Sequence, residues 1–278
     1  MEAFGRLFGS MFSKRPVVIG MIHLSPLPGT PGYDGQKLKE IAFQACQEGR
    51  IYNKYGLDGL IIENMHDVPY MKGKVGPEIV AAMTRVASEI RDSFDLPLGI
   101  QILSGAHKES LAVAHSTGAQ FIRVEGYVFA HVADEGLMES CAGELLRYRR
   151  NIGAEDIMVW TDIKKKHSSH SITSDVSLGE TAKAAQFFKS DGLIITGSST
   201  GQPPSPISVQ EVREVISDLP IIVGSGVTLK NIKELSVTSS GVIVGSHFKV
   251  GGHWYNPINE EAIENFMEAV HDVSTLRR

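Results

Sequence analysis

Short apolar runs recur along the chain, and each breaks into small or polar residues. They are VVIGMI at 17–22, GLII at 59–62, LGIQIL at 98–103, FIRV at 121–124, a run over 157–161, GLII at 192–195, IIV at 221–223 and VIV at 242–244. Continuous β-branched runs of this length mark parallel strands buried on both faces. Helix-period stretches lie between them. Leu38, Ile41, Ala42, Ala45, Tyr52 and Tyr55 share one face of a segment over 36–55. Ile79, Val80, Met83, Val86, Ala87 and Ile90 do the same behind Pro77, a residue suited to a first helical turn. Further helices are expected over 108–117 and 138–152, after the Ser177–Glu180 and Ser208–Glu211 capping-box patterns, after Thr228, and from Asn259 through 270.

Eight strand–helix units in a row predict an α/β chain forming a single (β/α)8 barrel, a TIM barrel, over 17–278. Residues 1–16 read as an N-terminal extension, with Phe4, Leu7, Phe8 and Met11 at helical spacing on a helix that closes the barrel bottom. An open doubly wound sheet is the runner-up. No GxGxxG follows any strand, so the dinucleotide fingerprint is absent.

Segments after strands are long and rich in Gly, Pro, Ser and His. Of ten histidines, only His115 and His271 fall in expected helices, which makes the C-terminal face of the barrel the working face. After the last two strands come GSGVT at 224–228 and GSHFK at 245–249. Two neighbouring glycine-rich turns, each opening a helical segment, form a cradle for a phosphate dianion. Its expected residues are Gly224, Ser225, Gly226, Gly245, Ser246 and Lys249, with Gly197 from the preceding loop. The plain alternative is that these glycines only turn the chain.

Glu63, Arg123, Glu125 and Asp162 stand at strand ends. An outward charge there would be buried under helices without a partner, so inward placement at the mouth is expected. There they either exchange protons with a substrate or form a polar network that plugs the barrel. Mutual repulsion should raise the pKa of Glu125 or Asp162. Lys166 and His167 complete the expected catalytic set; three lysines at 164–166 fit anion binding better than imine formation. His23, Asn64, Gln101 and Thr196 are expected substrate contacts. The glycine- and proline-rich loops 23–35 and 196–206 are expected lids. No cofactor is firmly implied; Glu63, Glu125 and Asp162 could instead hold Mg²⁺, and His167 with His170 has weak metal-ligand spacing.

Composition narrows the classes. The chain has 278 residues, 42% apolar and 21% charged, a net charge of −5 and two cysteines. No basic block tracks a nucleic acid and no apolar stretch of about 18 residues could span a membrane. Cys46 and Cys141, on separate expected helices, fit buried thiols of a reducing compartment. A soluble cytoplasmic protein is expected, with a mitochondrial presequence as the alternative use of the N-terminus. A homo-oligomer is compatible with the sequence.

GMIHLSPLPGTPGY, DGLIIENMHDVPY, TDIKKKH, LIITGSSTG and VGSGVT…VIVGSHFK, in this order, resemble the BtpA/SgcQ family over nearly the whole chain. The resemblance implies an aldolase-type barrel related to ribulose-phosphate-binding barrels. It transfers family positions onto His23, Glu63, Asn64, Arg123, Asp162, Lys166, His167, Gly197, Gly224, Gly226, Gly245 and Lys249. QILSGAHK after the third strand and EGYVF after the fourth depart from the pattern, so the substrate pocket is expected to differ. The family's founding cyanobacterial member is linked to photosystem I accumulation, and bacterial relatives suggest sugar or nucleoside metabolism. The expected function is an enzyme acting on a small phosphorylated metabolite by acid–base chemistry; the alternative is a non-catalytic assembly factor.

Overall fold

The computed structural model describes residues 1–9 and 15–276, with side chains through Val273. Eight parallel strands close into a barrel: β1 (Val17–His23), β2 (Gly59–Glu63), β3 (Leu98–Gln101), β4 (Phe121–Val124), β5 (Met158–Asp162), β6 (Gly192–Ile195), β7 (Ile221–Val223) and β8 (Gly241–Val244). Each strand pairs with its chain neighbours, and β1 also pairs with β8, matching Val17 to Gly241 and Gly20 to Val244. The expected (β/α)8 architecture is therefore present. Helix α1 (Glu2–Phe8) precedes β1, and the barrel is ringed by α2 (Leu38–Lys54), α3 (Pro77–Ser93), α4 (His107–Thr117), α5 (Ala142–Asn151), α6 (Leu178–Phe187), α7 (Pro206–Val215), α8 (Ile232–Leu235) and α9 (Glu260–Leu276).

The two-residue period of the strands separates two cores. Outward residues such as Val18, Ile22, Leu60, Ile62, Val159 and Leu193 pack under the helices. Inward residues Val17, Ile19, Met21, Ile61, Phe121, Trp160, Ile194, Ile222 and Ile243 fill the lower barrel. Phe4 and Phe8 of α1 join that inner core, with Phe4 and Trp160 centroids 5.7 Å apart, so the N-terminal helix plugs the bottom as expected. Arg15 fixes this end through a double hydrogen bond to buried Asp58, at 2.6 and 2.7 Å. Met11 and Lys14 lie outside the described residues.

Four local expectations change. The stretch after β4 is a hairpin, His131–Ala133 paired with Gly136–Met138, which Ser168–Ser169 joins as a third strand; α5 therefore begins at Ala142 rather than 138. Helix α7 is capped by Ser205, because Pro206 takes the first turn, and Glu211 instead accepts from the Gly179 amide of α6. Helix α8 is a single turn that Thr228 does not cap. His107 opens α4, and so lies in a helix rather than a loop. The Ser177–Glu180 capping box forms, and Asn259 caps the last helix through the Ala262 amide.

Candidate functional site

Because inward residues alternate, every strand delivers one polar or small residue to the barrel mouth: His23, Glu63, Gln101, Arg123, Asp162, Thr196, Gly224 and Gly245. Arg123 donates from Nε and Nη2 to the two carboxylate oxygens of Asp162, both at 2.8 Å, and both side chains are almost wholly buried. Glu125, beyond β4, accepts from Lys165 Nζ at 2.8 Å and from Gln101 Nε2 at 3.3 Å. His107 Nε2 donates to the Glu125 carbonyl at 2.6 Å. His23 Nε2 stands 3.6 Å from Glu63 Oε2.

Inward placement of the four strand-end charges holds, but the expected rise does not fall on Glu125. Burial opposes the Glu125 charge, yet the Lys165 ammonium, then Arg123 and His107, hold its carboxyl below the usual range. The carboxyl pushed up is Glu63, by burial, against partial relief from Lys166 and Arg123. His23 is pushed well down by burial and then by the cations Lys249 and Lys166. Lys166 is also lowered, by burial and by the Arg123 guanidinium. The mouth thus holds two tight ion pairs and three groups biased toward their uncharged forms.

Above these residues lie the two glycine turns. Gly224, Ser225, Gly226, Gly245 and Ser246 share one cavity with His23, Glu63, Arg123 and Lys166. The amides of Ser225, Gly226 and Ser246 donate to no protein group among the described residues. The glycines themselves serve packing. A Cβ on Gly226 (φ +65°) would sit 2.0 Å from Pro203 N, one on Gly197 would sit 2.4 Å from Gln202 O, and one on Gly245 would press on His23. Ser225 Oγ accepts from Gly197 N and donates to Gln202 O, pinning the 196–206 loop over the cavity. Neither turn opens a long helix: Ser246–Phe248 is a 3₁₀ turn. Any anion here would therefore be met by individual amides and neighbouring cations rather than by helix ends.

Several expected contacts point elsewhere. Lys249 is buried against α2, donating to Glu48 Oε1 at 2.5 Å, and does not line the glycine cavity. Asn64 spends its amide inside the fold, accepting from Leu103 N and donating to Asp67 Oδ2. Thr196 Oγ1 accepts from the Lys166 amide and so shapes the lysine loop. His167 Nε2 accepts from Thr200 N at the rim, while His170 donates to the Lys165 carbonyl. Asp162 and Glu125 are each spent on a cation, while Glu63, the third carboxylate considered for Mg²⁺, is not; no three His, Cys, Asp or Glu side chains among the described residues are grouped to hold a metal. Cys46 and Cys141 are free thiols.

A second compartment adjoins the first across Glu63, Met65, Lys166 and Thr200, with Tyr70, Ser104, Glu125, Glu135, Lys165 and Trp254 around it. Tyr70, Ser104, Lys165, Thr200 and Trp254 were not singled out from sequence. Only Lys165 carried a signal, as part of the lysine run.

Fold and mouth together define a (β/α)8 barrel with its polar groups gathered at the C-terminal end. The chain belongs to the BtpA family, whose model matches residues 14–272. It is 48% identical over 273 residues to an uncharacterized mitochondrial protein of Caenorhabditis elegans, covering 96% of each chain. It is 33% identical over 264 residues to the photosystem I biogenesis protein BtpA of Synechocystis, covering 95% of this chain and 91% of that one. Among solved structures it resembles (S)-3-O-geranylgeranylglyceryl phosphate synthase from Thermoplasma acidophilum, with a TM-score of 0.60, 16% identity and coverage of 95% and 96%. It also resembles N-(5′-phosphoribosyl)anthranilate isomerase from Pyrococcus furiosus, with a TM-score of 0.57, 15% identity and coverage of 92% and 99%. No helix among the described residues is long and apolar enough to cross a membrane.

Proposed function

We propose that the chain is an enzyme acting on a small phosphorylated metabolite, a sugar or nucleoside phosphate, by proton transfer at the barrel mouth. The observation that carries this is one cavity with unbonded amides of Ser225, Gly226 and Ser246 on one wall and Arg123, Lys166, Glu63 and His23 on the others. Unspent donors beside the Arg123 guanidinium suit a dianion. Carboxyl and imidazole groups biased toward neutrality suit general acid–base work, which contributes about 10²–10⁴ in rate. Phosphorylated ligands also figure in the names of the two structural neighbours, one solved with sn-glycerol-1-phosphate. The 23–35 and 196–206 loops act as lids over the bound molecule. The worm relative's name points to mitochondria for this chain as well.

Thermal denaturation with inorganic phosphate, glycerol phosphates and pentose phosphates tests the reading. A ligand at 100 times its Kd adds about 2.7 kcal/mol, a rise of roughly 5–10 °C at 2–4 °C per kcal/mol. Ser246→Glu, which brings a carboxylate to the cradle, should abolish it. No rise with any of these compounds would favour the assembly-factor alternative, to which the name of the Synechocystis relative points.

A further inference from the structure

Three consecutive lysines leave β5 and meet three different fates. Lys164, with φ at 48°, donates to the Thr173 carbonyl at 3.2 Å. Lys165 is bound to Glu125 at 2.8 Å, and this partner keeps its ammonium charged. Lys166 Nζ has the neutral Thr200 hydroxyl, at 3.3 Å, and no ion-pair partner among the described residues. Its amine stands where the two compartments of the mouth meet. One side offers the free amides. The other offers Ser104 Oγ and Glu135 Oε2, both buried and without hydrogen-bond partners.

We propose that Lys166 is an imine-forming nucleophile and that the substrate is a phosphorylated hydroxy-ketone or hydroxy-aldehyde. Its phosphate would lie on the Ser225, Gly226 and Ser246 amides, its carbonyl carbon at Lys166 Nζ, and its hydroxyls against Ser104 and Glu135. The phosphate end of this assignment rests on the reading in the preceding section. A sugar hydroxyl both donates and accepts, so an unpaired hydroxyl and an unpaired carboxylate oxygen are the partners it needs. A charged ammonium cannot attack a carbonyl; a lysine without a carboxylate, partly desolvated and beside a guanidinium, is held toward the reactive amine.

The step balances within the site. The Nζ lone pair attacks the carbonyl carbon, and one Nζ proton passes to the carbonyl oxygen, giving a carbinolamine. The Glu63 carboxyl lines both compartments and is biased toward its protonated form. It gives its proton to the hydroxyl, which leaves as water. The products are the iminium, carrying the remaining Nζ proton, and a Glu63 carboxylate. The iminium then draws electrons from the adjacent carbon, so a proton or carbon substituent there can depart.

The test uses the full chain with dihydroxyacetone phosphate, ribulose 5-phosphate and glyceraldehyde 3-phosphate, reduced with borohydride and mapped by peptide mass spectrometry. The expected result is an adduct on Lys166 at least tenfold above any other lysine. Excess inorganic phosphate should suppress it, and Lys166→Arg should lack it while still gaining thermal stability from inorganic phosphate. A phosphate-dependent thermal rise with Lys166 unmodified by all three probes overturns the imine and leaves the phosphate reading standing. An adduct on Lys166 that phosphate neither suppresses nor accompanies with a thermal rise upholds the imine and overturns the phosphate cradle.

Discussion

Asp162→Asn separates a polar plug from catalytic machinery. Asp162 accepts both hydrogen bonds of the Arg123 fork at 2.8 Å, with side-chain exposures of 1% and 3%. The asparagine keeps the volume but removes the charge, leaving a guanidinium buried with half its partner. Breaking a buried pair in this way costs about 3–5 kcal/mol, a large share of a total stability of about 5–15 kcal/mol. At roughly 2–4 °C per kcal/mol, the midpoint should fall by about 6–20 °C. The assay is urea and thermal denaturation of Asp162→Asn, Asp162→Leu, Arg123→Met and the double variant Arg123→Met/Asp162→Leu. Apolar replacement of both partners is often close to neutral, so the double variant should be more stable than either single one. A loss under about 1 kcal/mol for Asp162→Asn, or additive single effects across the cycle, would refute the reasoning. The sequence alone left Asp162 either exchanging protons or plugging the barrel; its bidentate bond to Arg123 puts the first effect of its loss on stability.

Glu63→Gln should behave in the opposite way, costing under about 1 kcal/mol because burial already favours the uncharged carboxyl, while lowering turnover at least 10²-fold. A carboxyl raised on folding contributes stability below its ordinary value of 4.5 and loses it as pH climbs, so the variant should gain on the natural chain as pH rises from about 4.5; parallel stability curves would count against it. His131 is pushed down to about 4 by burial, then by Lys165 and His170. Its contribution is complete above about 6.5 and drains away as pH falls toward 4, with buried His23 and His107 acting in the same sense. Denaturation midpoints should drop across that window, less steeply for His131→Gln, and a flat profile would sink the idea. Hydrogen exchange at 23–35 and 196–206 should slow on binding a phosphorylated ligand if these loops are lids; equal protection in both states would not fit.

Most of the architecture was legible because a buried parallel strand writes itself as an uninterrupted β-branched run. Gly59, Phe121 and Gly192 open strands where the pattern placed them. What failed were features decided by competition between neighbours. Ser208 and Glu211 form a good capping pattern, but Pro206 fits the first turn better and moves the cap to Ser205. The hairpin at 131–138 has strands of three residues, too short for alternation to show, although Gly136 at φ +99° supplies its turn. Strand-end charges could be assigned inward from the two-residue period alone. Their partners could not. Adjacent lysines turn to Glu125, to Thr200 and to a backbone carbonyl because Lys164 and His167 take positive φ, a choice the residue types do not announce.

The distribution of partners at the mouth argues against a plug. A network that merely stoppers a barrel gains most when every charge is matched, since each unmatched buried charge is costly. Here matching stops halfway. Arg123 takes Asp162 and Lys165 takes Glu125, while Glu63, His23 and Lys166 are left without close ion pairs; their 3.6 Å contact, His23 to Glu63, involves a histidine biased toward neutrality. These three line the cavity under the glycine turns, and each is shifted toward the form that can act: a carboxylic acid, a free imidazole and a free amine. The two tight pairs hold the positive and negative charge in place around them. Substituting the paired residues should therefore be felt first in folding, and substituting the unpaired ones first in turnover.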